Sequence, residues 1–346
     1  MLKLNGNEKI LIVRLTALGD CLHTIPLAYA LKKAFPNIFI GWAVSDKCKS
    51  VIENNPLVDK IHIIPKNDKK QYWQAIKEIR KEKYTISIDS QELLKSAIIS
   101  LLSGAKHRLA HNKSRELSYL FANEKLKSIP IFDCSRHVIE RNMDFARFLR
   151  IPNPEIDFIL PENNLSDLTY ISDLLKDIDA TKPTIVISPS TTWITKFWPT
   201  ENWATLIQEL NEKANIILTG SNADTNYINE ILTLTNNVNV INLSGKTNIL
   251  QLKILFEHAN IVVTPDSGSA HLAAATKSPT VIALFASTSA TRNGAYGEKN
   301  INLTNSLTCQ PCYKKICKHT GGIPVCAQIA PNRVLEKINL ILNNER

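Results

Sequence analysis

Charged side chains that can take part in catalysis stand where an apolar strand pattern ends and a helix pattern begins. Asp20 and Asp266 each follow a run of β-branched residues, and Lys196 lies in the polar segment after residues 184–188. At the end of a strand in an open α/β sheet, a carboxylate can act as a general base and an ammonium group can neutralise a phosphate. The alternative for each carboxylate is a helix cap, and for the lysine a solvated surface position.

Hydroxyl and glycine residues near these charges are typical of an anion-binding helix start. Backbone N–H groups in the first turn of a helix lack intrahelical partners, and the helix dipole favours a phosphate there. The segment around Lys196 can hold a diphosphate by this means. A serine in such a place can also act only as a cap, and a single histidine is often a satisfied core residue. The candidate residues are Thr191, Thr192, Ser267, Gly268 and His271.

Short apolar strands alternate with longer helical patterns along the chain. This alternation predicts an α/β fold with parallel sheets that helices cover on both faces. Helices are expected near residues 21–34, 45–54 and 72–81, and an amphipathic one at residues 332–343. The predicted strands are residues 10–13, 38–44, 60–64, 85–89, 184–188, 216–219, 238–243, 261–263 and 280–285.

The length of 346 residues suits two domains, and three prolines between residues 151 and 161 mark the crossing between them. We predict a first domain at residues 1–160 and a second at residues 161–330. The C-terminal segment 331–346 is expected to form a helix that packs back on the first domain.

The chain has a formal net charge of +9, which favours phosphate-bearing partners such as nucleic acid, an anionic membrane surface or an acidic small molecule. Nucleic acid is not an expected partner, because no nucleic-acid motif accompanies the basic segment at residues 66–73. The sequence contains no apolar run long enough to span a bilayer. Its N-terminal residues also lack the basic-then-apolar order of a secretory signal, so we expect a cytoplasmic protein.

Taken together, the motifs resemble glycosyltransferase family 9, the ADP-heptose:lipopolysaccharide heptosyltransferases, and within it most closely the heptosyltransferase I branch. The resemblance spans nearly the whole chain. The segments that carry it are residues 14–26, 55–59, 88–96, 114–116, 137–141, 195–199 and 266–271.

The resemblance implies a GT-B architecture of two Rossmann-like domains facing a cleft, an inverting displacement, and neither cofactor nor metal. Asp20 matches the position of the general base that deprotonates the acceptor hydroxyl. Lys196 matches a catalytic residue that stabilises the leaving diphosphate. The resemblance further implies that the donor, ADP-heptose, is bound by Thr191, Thr192, Lys196, Asp224, Asp266, Ser267, Gly268 and His271.

The acceptor implied by the resemblance is Kdo-lipid A, presented at an anionic inner-membrane surface. Anion recognition by lysine and arginine suits the acidic sugars and phosphates of such an acceptor. We therefore expect a peripheral protein at the inner face of the inner membrane. The alternative for these side chains is ordinary solvated charge. The matching positions are Lys66, Lys69, Lys70, Arg115, His137 and Arg141.

The sequence departs from the family pattern at three places. Glu92 stands where the family has a glycine after a glutamine. Asp224 occupies the acidic position expected to bind the ribose, where family members often have the longer glutamate. Residues 285–290 lack the glycine and proline that usually follow this strand.

Four of the seven cysteines gather within 18 residues. Four thiolates can hold zinc in a tetrahedral site, and the first spacing is compatible with one, although the third gap is irregular. Uncoordinated thiols are the default expectation in a reducing cytosol. The four residues are Cys309, Cys312, Cys317 and Cys326.

Three other functions are compatible with parts of the pattern. A family 9 transferase that uses another nucleotide sugar or a later heptose acceptor would share every motif. A non-catalytic nucleotide-sugar binding protein would not need both Asp20 and Lys196. A dinucleotide-dependent oxidoreductase also has two α/β domains, but the early turn lacks the Gly-x-Gly-x-x-Gly pattern of that class.

Overall fold

The described residues form twelve strands in two separate six-stranded sheets, and every strand pair is parallel. The computed structural model describes residues 2, 4–130, 132–236 and 238–344. It divides into two units at residues 162 and 163, each containing one sheet. The predicted boundary at residue 160 lies two positions away.

The first unit contains β1 (Lys9–Val13), α1 (Leu18–Leu22), α2 (Ile25–Ala34), β2 (Phe39–Ser45), β3 (Lys60–Ile64), α3 (Lys69–Lys81), β4 (Ile86–Asp89), α4 (Leu94–Leu102), β5 (His107–His111), β6 (Glu124–Leu126) and α5 (Val138–Phe148). Two segments of 3₁₀-helix, Asp46–Val51 and Arg115–Phe121, complete it. Helices α3 and α4 cover one face of the sheet, where Ile76 and Ile79 pack against Leu11 and Val13.

The second unit contains α6 (Leu165–Leu174), β7 (Thr184–Ile187), α7 (Thr200–Leu210), β8 (Asn215–Leu218), α8 (Thr225–Leu234), β9 (Val240–Asn242), α9 (Ile249–Glu257), β10 (Ile261–Pro265), α10 (Gly268–Thr276), β11 (Thr280–Phe285), α11 (Ala290–Asn293), β12 (Ile301–Thr304) and α12 (Pro331–Asn344). Its short 3₁₀ segments are Ile194–Lys196, Asn222–Asp224 and Val325–Ala327. Trp198 and Trp203 meet edge to face in its core, with ring centroids 4.6 Å apart.

Both sheets have the same strand order. The first runs β3-β2-β1-β4-β5-β6, and the second, read from the other edge, runs β9-β8-β7-β10-β11-β12. In each sheet the chain reverses its direction of progress between two central strands, β1 and β4 or β7 and β10. Ligands of open α/β sheets bind at the carboxyl ends of strands at such a switch point. The order therefore fixes where each unit can carry a site.

The α/β class and the nine strands expected from the sequence are confirmed, with small shifts at their ends. The helix expected near residues 21–34 is two helices, because the chain breaks at His23 and Thr24 and Pro26 lies in the first turn of α2. Sequence patterns also missed β5, β6 and β12. These strands carry charged or amide side chains, so they lack a continuous apolar run, and β6 and β12 are each one edge of their sheet.

The C-terminal helix α12 belongs to the second unit. Val334 and Ile338 are fully buried in the core of that unit, where α12 packs against α7 and β11. Residues 331–344 therefore belong to the second unit, whereas the sequence analysis set this segment apart from the second domain. The apolar stripe of the helix was predicted, but a stripe does not identify the surface that covers it.

The burial of α12 generates a prediction about stability. Ile338→Ala should lower the free energy of unfolding by about 2–5 kcal/mol, because it leaves a cavity in a packed core. Leu340→Ala, on the same helix but 52% exposed, is the matched control and should change it by less than about 0.5 kcal/mol. Urea denaturation measures both. Equal effects of the two variants would show that α12 is not held by its Ile338 face.

Candidate active site

The carboxylate of Asp20 lies beyond the carboxyl end of β1, at the switch point of the first sheet. Its Oδ1 atom is 2.8 Å from Nη2 of Arg14, and its Oδ2 atom accepts a hydrogen bond from the Ala17 amide at 3.1 Å. The side chain of Asp20 is 44% exposed, whereas that of Arg14 is only 9% exposed. Asp20 therefore caps the short helix α1 and also presents a fixed carboxylate to solvent.

The turn after β4 supports the Asp20 loop. Gln91 accepts hydrogen bonds from the amides of Leu15 and Thr16 at 2.6 and 3.2 Å and donates one to the Thr16 hydroxyl at 3.2 Å. Arg14 donates to the carbonyl of Ser90. The two loops of the switch point are thus joined by hydrogen bonds.

The buried carboxylate of Asp89 anchors this turn through hydrogen bonds. Its Oδ1 atom accepts hydrogen bonds from the amides of Gln91 and Glu92, both at 3.1 Å. Burial raises the pKa of the Asp89 carboxyl to about 7, and hydrogen bonds from Ser96 and the two amides offset only part of that effect. The support of the Asp20 loop therefore contains a buried group that titrates near neutral pH.

Glu92 shows why the family pattern has a glycine at this position. Its φ is +62°, in the left-handed region that costs a residue with a side chain about 1–2 kcal/mol. Its carboxylate forms two hydrogen bonds with the guanidinium of Arg141, at 2.8 and 2.7 Å, and both side chains are almost fully buried. Arg141 also donates to the Ile129 carbonyl. The donors of Arg141 are thus engaged inside the protein, which favours a positioning role over direct acceptor contact.

The other predicted acceptor residues are spread over the first unit. His137 caps α5 and meets the ring of His23 edge to face, with centroids 5.4 Å apart. The lysines Lys66, Lys69 and Lys70 are exposed between β3 and the first turn of α3. Arg115 is exposed and lies over the ring of Phe132. His137 is thus adjacent to the helix of Asp20.

The second unit brings residues from three strand ends together around Asp266. Nζ of Lys196, after β7, lies 2.7 Å from Oδ2 of Asp266, after β10. The same oxygen accepts a hydrogen bond from the Thr288 hydroxyl, after β11, at 2.6 Å. The Lys196 and Asp266 side chains are 13% and 4% exposed. A nearly buried carboxylate is thus balanced by one ammonium group and one hydroxyl group.

Four more of the predicted donor residues surround this pair. Thr191 donates to the Asp266 carbonyl at 3.0 Å, and Nε2 of His271 lies 3.8 Å from Oδ1 of the same residue. Ser267 is the N-cap of α10, whose helical residues begin at Gly268. The first-turn amides of this nine-residue helix therefore start beside the ion pair.

The remaining two predicted donor residues lie outside the cluster of contacts around Asp266. Thr192 is exposed in the same loop as Lys196. Asp224 follows the neighbouring strand β8, and its Oδ2 atom accepts hydrogen bonds from the amide and hydroxyl of Ser221 at 2.7 and 2.6 Å. Its role as a ribose ligand stays a prediction.

Two groups beside the Lys196–Asp266 pair, one aromatic and one basic, were not predicted from the sequence. The ring of Trp193 lies 4.7 Å from Nζ of Lys196 and 5.8 Å from Nζ of Lys315. Lys315 belongs to the cysteine-rich segment, which is tied to the loop after β7 by a hydrogen bond from Thr195 to the Lys314 carbonyl at 2.6 Å. The site thus has a second cation that comes from a remote part of the sequence.

The four clustered cysteines are free thiols in the structure. Within the described ranges, no group of three or more histidine, cysteine or acidic side chains is arranged to hold a metal ion. Burial raises the pKa of Cys326 to about 11, which disfavours the thiolate that a metal requires. Among all the residues that the structure describes, no helix is both long and apolar enough to cross a membrane.

Two Rossmann-like α/β units, each with one six-stranded parallel sheet, are the architecture of the GT-B fold. The model of glycosyltransferase family 9 (heptosyltransferase) matches residues 72–321, and the chain belongs to this family. It is therefore a glycosyltransferase, as the sequence motifs predicted.

Relatives and solved structures agree with this assignment. The chain is 27% identical to lipopolysaccharide heptosyltransferase 1 of Pseudomonas aeruginosa over 327 residues, which cover 90% of this chain and 88% of the relative. Its fold is similar to that of a family 9 glycosyltransferase from Veillonella parvula, with a TM-score of 0.83, 18% identity and 97% coverage of both chains. It is also similar to that of the E. coli heptosyltransferase WaaC with ADP-2-deoxy-2-fluoro heptose, with a TM-score of 0.70, 21% identity and coverage of 96% and 99%. The expected similarity to heptosyltransferase I is thereby confirmed.

The buried carboxyl of Asp89 generates a prediction about pH. An unfolded aspartate has a pKa near 3.9, so the raised native value means that the native state loses relative stability as pH rises from about 4 to 7. Asp89→Asn keeps an acceptor oxygen and cannot ionise. The variant should therefore gain stability relative to wild type over that window, by at most about 4 kcal/mol.

Denaturation of both proteins at a series of pH values measures this difference. Asp46→Asn is the matched control, because Asp46 is exposed in the same unit. A stability difference between Asp89→Asn and wild type that does not vary with pH would contradict the prediction.

Proposed function

We propose that this chain is an inverting heptosyltransferase that transfers heptose from ADP-heptose to the Kdo-containing inner core of lipopolysaccharide. The proposal rests on membership of family 9. The observation that carries the mechanism is that Asp20, held by Arg14, presents a fixed and half-exposed carboxylate at the switch point of the first sheet. The names of the relatives, lipopolysaccharide heptosyltransferase among them, support the choice of substrates.

In the proposed reaction Asp20 is the general base. It takes the proton of an acceptor hydroxyl as the oxygen bonds to the anomeric carbon of the donor. The bond from that carbon to the diphosphate breaks with its electron pair, so ADP leaves and the configuration inverts. Arg14 acts as a positioning residue, because it fixes one carboxylate oxygen while the Ala17 amide binds the other. Base catalysis of this kind is typically worth about 10²–10⁴-fold in rate.

The proposed donor site is the cluster around Lys196 and Asp266. Negative charge develops on the diphosphate as it leaves, and preorganised cations and amides stabilise such charge. Lys196 supplies the ammonium group, and the first turn of α10, from Gly268, supplies amides. Thr191 and Thr192 supply hydroxyl groups on the same loop. ADP-heptose is favoured as donor by the fluorinated ADP-heptose in the similar E. coli structure.

The acceptor is proposed to be Kdo-lipid A, bound through the exposed basic residues of the first unit. Lys66, Lys69, Lys70 and Arg115 are exposed, so their charged groups are available to acidic sugars and phosphates. Since this acceptor is anchored in a bilayer, we propose that the enzyme works in the cytoplasm at the inner face of the inner membrane.

Replacement of the proposed base generates the central prediction. Asp20→Asn should lower kcat for heptose transfer by about 10²–10⁴-fold, because the amide cannot accept the proton. Its affinity for ADP, which is proposed to bind the other unit, should not change. The assay uses ADP-heptose and Kdo-lipid A with purified protein, and calorimetry measures ADP binding.

Asp46→Asn is the matched control and should keep wild-type kcat. Full activity of Asp20→Asn would reject the base assignment. A wild-type protein that binds ADP but does not transfer heptose would instead reject the proposed substrates, and competition with other nucleotide sugars would then identify the donor.

Replacement of Lys196 tests the donor site. Lys196→Ala should weaken ADP binding by about 10–100-fold, the effect of one hydrogen bond to a charged group. It also leaves Asp266 nearly buried without its cation, so the single variant should lose stability. The double variant Lys196→Ala/Asp266→Asn should recover stability but not ADP affinity.

Calorimetry and thermal denaturation separate these two effects. Lys182→Ala is the control, because Lys182 is a lysine on the surface of the same unit. Recovery of ADP affinity in the double variant would show that Lys196 serves Asp266 rather than the diphosphate.

A further inference from the structure

Large apolar side chains are exposed together in one part of the first unit. They lie on α4, on the 3₁₀ segment Arg115–Phe121 and just beyond β6, and each is between 41% and 60% exposed. Monomeric proteins rarely expose contiguous apolar patches of this kind without a partner. We call this surface the apolar–basic face, and its apolar members are Leu94, Leu101, Leu117, Leu120 and Phe132.

Contacts between the elements show that the face is continuous. Helix α4 packs against the Arg115–Phe121 segment, and the Leu94 amide donates a hydrogen bond to Oε2 of Glu116 at 3.0 Å. The guanidinium of Arg115 lies 5.6 Å from the centroid of the Phe132 ring. The helix, the segment and Phe132 therefore form one surface.

The backbone holds part of this face in an unfavourable conformation. Glu116 and Leu117 are consecutive residues with φ of +52° and +55°, and neither is glycine. Such residues cost of order 1–3 kcal/mol each and are common at functional sites. Leu117, which this conformation displays, is 60% exposed. The backbone of Leu117 is thus held in an unfavourable conformation, although burial of its apolar side chain contributes little to the stability of the protein.

The face is also strongly basic. Residues 93–132 contain seven lysines and arginines against two glutamates. Both glutamates are engaged locally, Glu116 by the Leu94 amide and Glu124 by His107 at 3.1 Å. Lys95, Lys113 and Lys125 are exposed. The net charge that this surface presents to a partner is therefore positive.

We propose that the apolar–basic face docks the first unit on an anionic lipid bilayer. Leucine and phenylalanine side chains enter the boundary between headgroups and acyl chains, while each nearby lysine or arginine gains about 1 kcal/mol from anionic lipid. A second copy of the chain is a poorer occupant, because two such faces carry charge of the same sign. The proposed function explains why the enzyme needs this contact, since its acceptor is a lipid, but the contact does not depend on the identity of the donor.

The test is co-sedimentation with vesicles of phosphatidylcholine alone or mixed with phosphatidylglycerol. The wild-type protein should bind the mixed vesicles, and added salt should weaken that binding. The double variant Leu117→Glu/Leu120→Glu should lose at least about tenfold in vesicle affinity, because it removes two inserting groups and adds two negative charges. Leu165→Glu is the matched control, because Leu165 is 79% exposed in the second unit, and it should bind as wild type does.

Equal vesicle binding by the double variant and Leu165→Glu would overturn the proposal, and so would failure of the wild type to bind the mixed vesicles. A double variant that converts an oligomer to a monomer in sedimentation velocity would assign the face to a second copy instead. Thermal denaturation and ADP binding, which is proposed to occur in the second unit, are both expected to be unchanged and show that the double variant folds. Loss of vesicle binding with unchanged thermal denaturation and ADP binding separates the role of the face from folding. A wild-type protein that binds vesicles but does not transfer heptose rejects only the proposed function.

Discussion

When helices bury both faces of a parallel sheet, polar side chains are accommodated mainly at the ends of its strands. In both units the central strands are buried, apart from Lys9 at the start of β1, and the charged residues of the candidate sites follow their carboxyl ends. The common strand order then brings two such ends side by side, β1 with β4 and β7 with β10. The loops that carry Asp20 and Gln91 meet in one unit, and those that carry Lys196 and Asp266 meet in the other. The location of each site follows from how the sheets are covered.

Each candidate site is organised by an ion pair, but the two pairs differ in what they leave exposed. In the first unit the cation, Arg14, is buried and the carboxylate of Asp20 faces solvent. In the second unit the carboxylate of Asp266 is the more buried partner, and Lys196 is the more accessible one. Burial of one member fixes the geometry, and the accessible member is the one available to a ligand. This division agrees with a carboxylate that accepts a proton and an ammonium group that binds an anion.

The sequence allowed the fold class, nine of the strands and most members of the second site to be predicted, because apolar periodicity and local motifs carry that information. It did not reveal β5, nor the edge strands β6 and β12, because polar side chains break the periodicity of all three. It also missed contacts between residues distant in the chain. Thr288 reaches Asp266 only because β10 and β11 are neighbours. Arg141 matched a family motif, yet its burial against Glu92 depends on how α5 packs, which no local pattern specifies.

The Lys196–Asp266 pair has a consequence for turnover under the proposed function. When no phosphate is present, Asp266 already neutralises the lysine at 2.7 Å. A diphosphate that binds Lys196 must therefore compete with an internal anion, and the net gain is smaller than a bare lysine would provide. The same competition operates in reverse once the sugar has been transferred, because Asp266 recaptures the ammonium group as the nucleotide departs. Under the proposed function, the affinity of this lysine for the donor and for the released nucleotide is therefore set by the same internal competitor.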